Sequence, residues 1–343
     1  MKAVRLAQYN QMPSVTEVDE PKVTGPNDVI VRIGGAGLCR TDLHIIEGQW
    51  AEKSGVTLPY TLGHENAGWV EAVGSAVSNV APGDTVIVHP LMTCGFCRAC
   101  RAGDDMHCSN SAFPGISVDG GMANFLKTNA RAVVKLDSSL APKDIAALAD
   151  AGLTAYHAVK KAAAHLYPGT KAVVIGAGGL GHIGVQCLKA LTPAEIIVVD
   201  RSPEALALTK NWGADHTVVA DGKEVPNVLD ITNGQGAEAI IDFVGEGGAI
   251  EAGVGMLRRA GFYYVIGYGG KLNVPTIDII STEINFIGNL VGTYNDLAEL
   301  MTLTAQGKVT LHTAIYPLDA ALDAIHDLDS GKLRGRGILV PQV

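Results

Sequence analysis

Four of the chain's six cysteines, Cys94, Cys97, Cys100 and Cys108, fall within fifteen residues at the spacing C-x2-C-x2-C-x7-C. Four thiolates so placed can close a tetrahedral shell around one Zn²⁺, and a shell with no open position holds structure rather than performing chemistry. Gly95, Gly103 and the charges of Arg98, Arg101, Asp104 and Asp105 describe a loop without helix or strand. Burial alone would not hold such a lobe, about residues 91–110, and a metal would supply its shape. Disulfides or free thiols are the alternatives, and they suit a chain of intracellular character less well.

A second group of reactive side chains lies in two stretches, Cys39 with Arg40, Thr41, Asp42 and His44, and His64 with Glu65. Each is weak alone, since a single cysteine is most often a small buried hydrophobe. Together they offer a thiolate, an imidazole and carboxylates outside regular structure, a set that suits zinc with an open coordination position. Asp42 or Glu65 would then support the ligating ring and fix its tautomer. Asp150 is the candidate third ligand, an acid interrupting an apolar Ala/Leu segment where an unpaired charge is costly. From the residues alone it either caps a helix or binds a cation.

A third signal is an apolar run, residues 171–175, turning into Gly176-Ala177-Gly178-Gly179-Leu180-Gly181 with helical spacing beyond. A second run ends on Asp200, 24 residues after Gly176. This is a dinucleotide fingerprint: Gly176 for the tight turn, Gly178 for approach of the pyrophosphate, Gly181 for helix–strand packing. The helix N-terminus favours phosphate charge. Asp200 accepts from the ribose hydroxyls and repels a 2′-phosphate, which favours NAD, while Arg201 beside it pulls toward NADP.

The elements that must position these groups fall into two kinds. Residues 29–33, 68–73 and 85–89 read as short strands between Gly/Pro turns, a compact antiparallel β unit. From 171 to 288 strands and helices alternate, with strands at 196–199, 217–219, 239–245, 262–267 and 285–288. That alternation builds a doubly wound parallel sheet whose ligand crevice lies at the strand C-termini. Val244, Gly245, Ile266, Gly267, Asn289 and Val291 are therefore expected beside the cofactor. Residues 295–306 and 319–329 read as helices, the second with Asp319 as a plausible N-cap, before a last strand at 337–340. Arg336 could reach a phosphate or remain a solvated charge. Trp50, Ile116 and Leu290 are assigned to the apolar wall of a substrate pocket, positions that core packing would explain as well.

With 343 residues, 41 glycines and 5% aromatics, the composition fits an α/β protein of two domains. The net charge of −9 and the absence of a basic cluster beyond Lys332–Arg336 argue against nucleic-acid binding. Neither a signal peptide nor an apolar run long enough for a membrane span is visible, so a cytoplasmic protein without membrane association is expected.

In the order Cys39, His64-Glu65, four-cysteine lobe, Asp150 and Gly-rich turn, the whole chain resembles the zinc-dependent medium-chain alcohol dehydrogenase family. The resemblance implies a GroES-like β-rich catalytic domain over 1–148 and 286–343, and a Rossmann NAD-binding domain over 149–285. It implies two Zn²⁺ per chain: Cys39, His64 and Asp150 at the catalytic ion, with Glu65 close by, and the four cysteines at the structural ion. Thr41 and His44 match the proton relay, Arg40 and Arg336 cofactor-phosphate positions, and Thr154 a nicotinamide contact. Many relatives carry cysteine where this chain has Asp150, and the aspartate resembles the branch that handles secondary alcohols and ketones. The expected partner is a small alcohol or ketone, and a homodimer or homotetramer follows by analogy. A polyol or amino-alcohol dehydrogenase of the same architecture is the rival reading. A non-catalytic dinucleotide sensor is a more distant one, since it would be expected to lose some of Cys39, Thr41, His44 and His64.

Overall fold

Residues 1–342 are described by a computed structural model, and they form two compact units. One comprises Met1–Leu153 and the chain from Thr293 onward; the other is Thr154–Gly292. Both boundaries lie a few residues later than the expected 149–285. Among the described residues no helix is long and apolar enough to cross a membrane.

The first unit is built around the strand Asp28–Leu38, eleven residues and almost wholly buried. Val29, Val31 and Ile33 alternate into the core on one face, as the period of a strand requires. The strand pairs antiparallel with Glu65–Val73, Phe125–Asn129 and Arg336–Val340. Register then fixes the neighbourhood of its C-terminal end. Gly37 lies opposite Glu65, and Leu38 lies opposite Gly337. Cys39 therefore leaves the strand beside His64 on one side and Arg336 on the other. A slip of one residue would turn these side chains to the wrong face. The same sheet extends through Thr85–Val88 and Val133–Lys135 on one side and Thr313–Pro317 on the other, and a separate small sheet joins Ser14–Glu17, Lys2–Leu6 and Tyr60–Thr61.

The second unit is a six-stranded sheet in the order His216–Val219, Glu195–Asp200, Lys171–Ile175, Ala237–Asp242, Leu257–Val265, Asn285–Gly288. Every pairing is parallel. Val173, Ile175, Ile197, Val199 and Ile240 share one core face, covered by helices, as a parallel sheet requires. The order reverses beside Lys171–Ile175, and the Gly-rich turn opens at that switch point.

Several elements differ from expectation. The strand expected at 239–245 stops at Asp242, because its carboxylate folds back to accept from the N–H groups of Val244 (2.8 Å) and Gly245 (3.0 Å). The strand expected at 262–267 begins at Leu257, with a register shift opposite Ala237/Ala239. Helix Thr276–Thr282 was not expected, since its β-branched Thr-Ile-Asp-Ile-Ile-Ser-Thr favours extended chain; none of its residues is buried. Asp319 does not cap the following helix. It pairs with Lys2 at 2.7 Å, while Ala320 occupies the N-cap of Ala321–Asp329.

Candidate metal centre and dinucleotide cradle

Within the first unit the ligand atoms of Cys39, His64, Glu65 and Asp150 all lie within 4.8 Å of one another. One of the four, Glu65, lies in regular structure, contrary to expectation, and Cys39 borders it. Cys39 is the N-cap of helix Arg40–Ile46, and Glu65 opens strand Glu65–Val73. Asp150 stands immediately before helix Ala151–Ala163, and its carboxylate Oδ2 is 3.5 Å from His64 Nε2. On the other side of the ring, Nδ1 is 3.4 Å from Asp42 Oδ1. Asp42 is fully buried, and its second oxygen accepts from the Cys39 N–H at 2.8 Å, so one carboxylate fixes the helix start and faces the ring.

His64 is 1% exposed, and neither ring nitrogen has a hydrogen-bond partner among the described residues. A buried imidazole without partners costs free energy unless something else engages it. Electrostatics at the ring favour positive charge. Burial opposes protonation, but the Asp42 carboxylate outweighs it and pushes the ring's pKa well up. A soft thiolate, an imidazole and a carboxylate around that point fit Zn²⁺.

Glu65 is anchored through one oxygen, and its Oε2 is buried without a hydrogen-bond partner among the described residues. Its Oε1 accepts from the Ala151 N–H at 3.1 Å and from the guanidinium of Arg336. Burial works against the Arg336 charge, and the Glu65 carboxylate outweighs it, keeping the guanidinium protonated. Arg336, expected at a phosphate or in solvent, is thus 4% exposed and paired within the metal cluster. Gly37 is part of this arrangement, because a Cβ there would stand 2.0 Å from Glu65 Oε2. The role of Gly37 is not visible without the strand register.

Thr41 and His44 are half-buried on helix Arg40–Ile46, three residues apart and so on one face; Arg40 is exposed. Ile116 belongs to the core, with Trp50 packed against it. Leu290, in the second unit, is 53% exposed. Phe113, which the sequence did not single out, presents its ring edge-on to His64 at 6.0 Å between centroids.

The sulfurs of Cys94, Cys97, Cys100 and Cys108 also lie within 4.8 Å of one another. Backbone N–H groups converge on them: Phe96 and Cys97 donate to Cys94 Sγ, and Cys94 and Asn110 to Cys108 Sγ, each at 3.4 Å. N–H groups of Cys100 and Ser109 hold Cys97 down to about 6, whereas burial pushes Cys100 up to about 11. Such donors suit thiolates, the form that binds metal. The lobe is not all loop. Arg98–Ala102 is a helical turn ended by left-handed Gly103, followed by a 3₁₀ turn at Asp105–His107.

In the second unit Gly176 has φ +94°, and a Cβ on Gly181 would meet the Gly176 carbonyl at 1.8 Å. The turn can close on the helix only without that carbon. Asp200 ends its strand with Oδ2 accepting from the Ala177 N–H (2.6 Å) and Oδ1 from the Ser202 N–H (2.8 Å). A cavity of about 540 Å³ opens here, lined among others by Gly176, Asp200, Arg201, Glu224, Val244 and Glu246. Arg201 Nη2 donates to the Gly247 carbonyl at 3.1 Å. Ile266, Gly267, Asn289 and Val291 follow neighbouring strands; Asn289 Nδ2 donates to the Ile287 carbonyl at 2.9 Å, and Val291 is buried. Thr154 is half-buried in helix Ala151–Ala163.

Residues 25–138 match the family model of the alcohol dehydrogenase GroES-like domain, and residues 179–306 that of zinc-binding dehydrogenase. The chain is similar to the crystal structure of an alcohol dehydrogenase from the hyperthermophilic archaeon Aeropyrum pernix, with 48% identity, a TM-score of 0.96, and coverage of 99% of this chain and 100% of that one. It is 36% identical to an NAD-dependent alcohol dehydrogenase of Sulfurisphaera tokodaii, over 99% of this chain and 100% of the relative. It is also 35% identical to a D-arabinose 1-dehydrogenase (NADP(+)) of Saccharolobus solfataricus, over 99% of this chain and 97% of that protein.

Proposed function

The chain belongs to the zinc-dependent medium-chain alcohol dehydrogenase family, and on that premise we propose that it oxidises secondary alcohols reversibly to ketones with NAD. The observation that carries the substrate class is Asp150, a carboxylate within reach of Cys39 and His64 where many relatives have a thiolate. Cys39, His64 and Asp150 would hold the ion, which when bound supplies Lewis acidity to the substrate oxygen. Bound NAD would supply the hydride acceptor, chemistry that is the cofactor's own.

The chain's residues do the rest. Asp42 orients the His64 ring through Nδ1. Arg336 pairs with Oε1 of Glu65. Thr41 Oγ1 would accept the alcohol's hydroxyl proton as it passes its own hydroxyl proton on toward His44, further along the same helix face, which would return a proton to solvent. Phe113, Trp50 and Ile116 supply apolar surface that excludes water. Each Asp200 oxygen keeps accepting capacity for ribose hydroxyls beyond the N–H bonds it already makes. Glu224 and Glu246 line the same cavity, so a 2′-phosphate would meet three carboxylates against the single charge of Arg201.

A homodimer is part of the reading. Asn285–Gly288 is an open sheet edge, and Ile277 (66% exposed), Ile280 (71%) and Leu290 (53%) are exposed close to it in sequence. Such an edge is a template for a second copy. Thiolate-rich sites also favour a reducing, cytoplasmic setting.

The test is turnover of 2-butanol, 1-butanol and a pentose, each with NAD and NADP, with the mass of the protein measured by light scattering. Secondary over primary alcohol by about tenfold or more in kcat/KM is expected, the scale on which an apolar pocket discriminates. NAD should be preferred. A pentose preference with NADP would move the chain to the sugar dehydrogenase reading, and a monomer would remove the edge pairing.

A further inference from the structure

One buried titratable group in the second unit has no part in the chemistry above. His182 follows directly on the Gly-rich turn, in the first turn of helix Gly181–Leu191, and is 0% exposed. Its Nδ1 lies 3.0 Å from the carbonyl oxygen of Gly178, and its backbone N–H reaches the same oxygen at 3.2 Å. A carbonyl only accepts, so Nδ1 carries the proton in this contact. The ring is tilted against Trp212 at 5.3 Å, and Gln186 Nε2 donates to the His182 carbonyl at 2.9 Å. The side chain is therefore packed in place and not free to leave.

What it holds is the peptide between Gly178 and Gly179. With a glycine on each side, few steric barriers prevent that peptide from turning over. A helix without an N-cap side chain adds no restraint of its own, and the N-cap here, Leu180, makes no side-chain bond. The peptide is planar and trans, so the Gly178 carbonyl and the Gly179 N–H point in opposite directions. Drawing the carbonyl toward His182 turns the N–H away from it. A Cβ built on Gly178 would meet nothing within 4 Å, so the turn there borders open space.

We propose that His182 is a positioning residue that locks the Gly178–Gly179 peptide with its N–H presented to the pyrophosphate of the bound dinucleotide. The proposal rests on the dinucleotide reading of the Gly-rich turn. It concerns affinity for a phosphate-bearing ligand and asks nothing of the metal centre.

The test is equilibrium binding of NADH, ADP-ribose and adenosine to the full chain and to His182→Ala and His182→Asn. The asparagine amide can donate from near the place of Nδ1. His182→Ala should weaken NADH and ADP-ribose by about tenfold, the scale of one lost anchoring hydrogen bond, and leave adenosine within about twofold. His182→Asn should recover most of the loss, and kcat at saturating NAD should fall far less than KM for NAD rises. Unchanged ADP-ribose binding in His182→Ala overturns the proposal. So does an equal loss for adenosine, which would mark general damage to the unit, or an asparagine variant no better than alanine. If the unaltered chain binds neither NADH nor ADP-ribose, the dinucleotide reading itself fails and takes the proposal with it.

Discussion

Replacing His64 with alanine should lower alcohol oxidation by about 10³-fold or more and leave one zinc per chain, with the far-UV spectrum unchanged. The expected size follows from what Lewis-acid stabilisation supplies, several kcal/mol, at about 1.4 kcal/mol per tenfold in rate. The ring is the central donor of its cluster: Nε2 faces Asp150 at 3.5 Å, Nδ1 faces Asp42 at 3.4 Å, and neither is otherwise hydrogen-bonded among the described residues. Alanine leaves a thiolate and a carboxylate from separate elements, too few donors to hold the ion. Asp42→Asn leaves the ligands in place but removes the carboxylate charge behind the ring and at the helix start, and should cost about 10–100-fold, the usual range for a group behind a metal ligand. Metal content by atomic absorption beside kcat/KM checks both. A His64→Ala protein with two zincs, or with activity within tenfold of the parent, would remove the ion from that site.

The partition between what the sequence discloses and what it hides follows chain distance. The Gly-rich turn, its flanking apolar runs and Asp200 lie within one local stretch, so the parallel sheet and its nucleotide crevice could be read from spacing. The four cysteines are legible for the same reason. The Glu65–Arg336 pair joins residues 271 apart in sequence. It exists because Gly37 pairs with Glu65 and Leu38 with Gly337 on a shared strand, a register no local pattern encodes. A lone arginine near the C-terminus reads as a solvated or phosphate-binding charge until that register buries it. Phe113 was missed likewise: an aromatic in a loop carries no sign that it will face His64.

Local propensity was a poor guide in two places. Thr276–Thr282 is helical despite four β-branched threonines and isoleucines in its first five residues, and it buries nothing, so no packing signal was present to find. In the cysteine lobe, glycines and charges read as loop, yet Arg98–Ala102 makes a turn of helix, because C-x2-C spacing around one centre fits a tight turn better than extended chain.

That lobe carries the second large expectation. Cys97→Ser should cost one zinc per chain while the catalytic ion remains, and should lower the thermal midpoint on the order of 10 °C, since the metal's binding free energy is the lobe's folding free energy. The lobe has little else to hold it: Phe96 is 78% exposed, and Arg98 and Arg101 face solvent. The damage should also travel. Asp105, 7% exposed, reaches Arg131 Nη2 with one oxygen at 3.5 Å and accepts from the Tyr294 N–H with the other at 3.2 Å. Tyr294 opens helix Tyr294–Ala305, and its hydroxyl donates to the Val133 carbonyl at 3.2 Å. Releasing Asp105 removes a partner from that helix start, so amide exchange should quicken at residues 294–297 and not at Asp28–Leu38. Turnover at low temperature should stay close to the parent value, because no lobe residue belongs to the Cys39–His64–Asp150 cluster. Two zincs retained, with an unchanged midpoint, would mean that side-chain packing alone keeps the lobe folded.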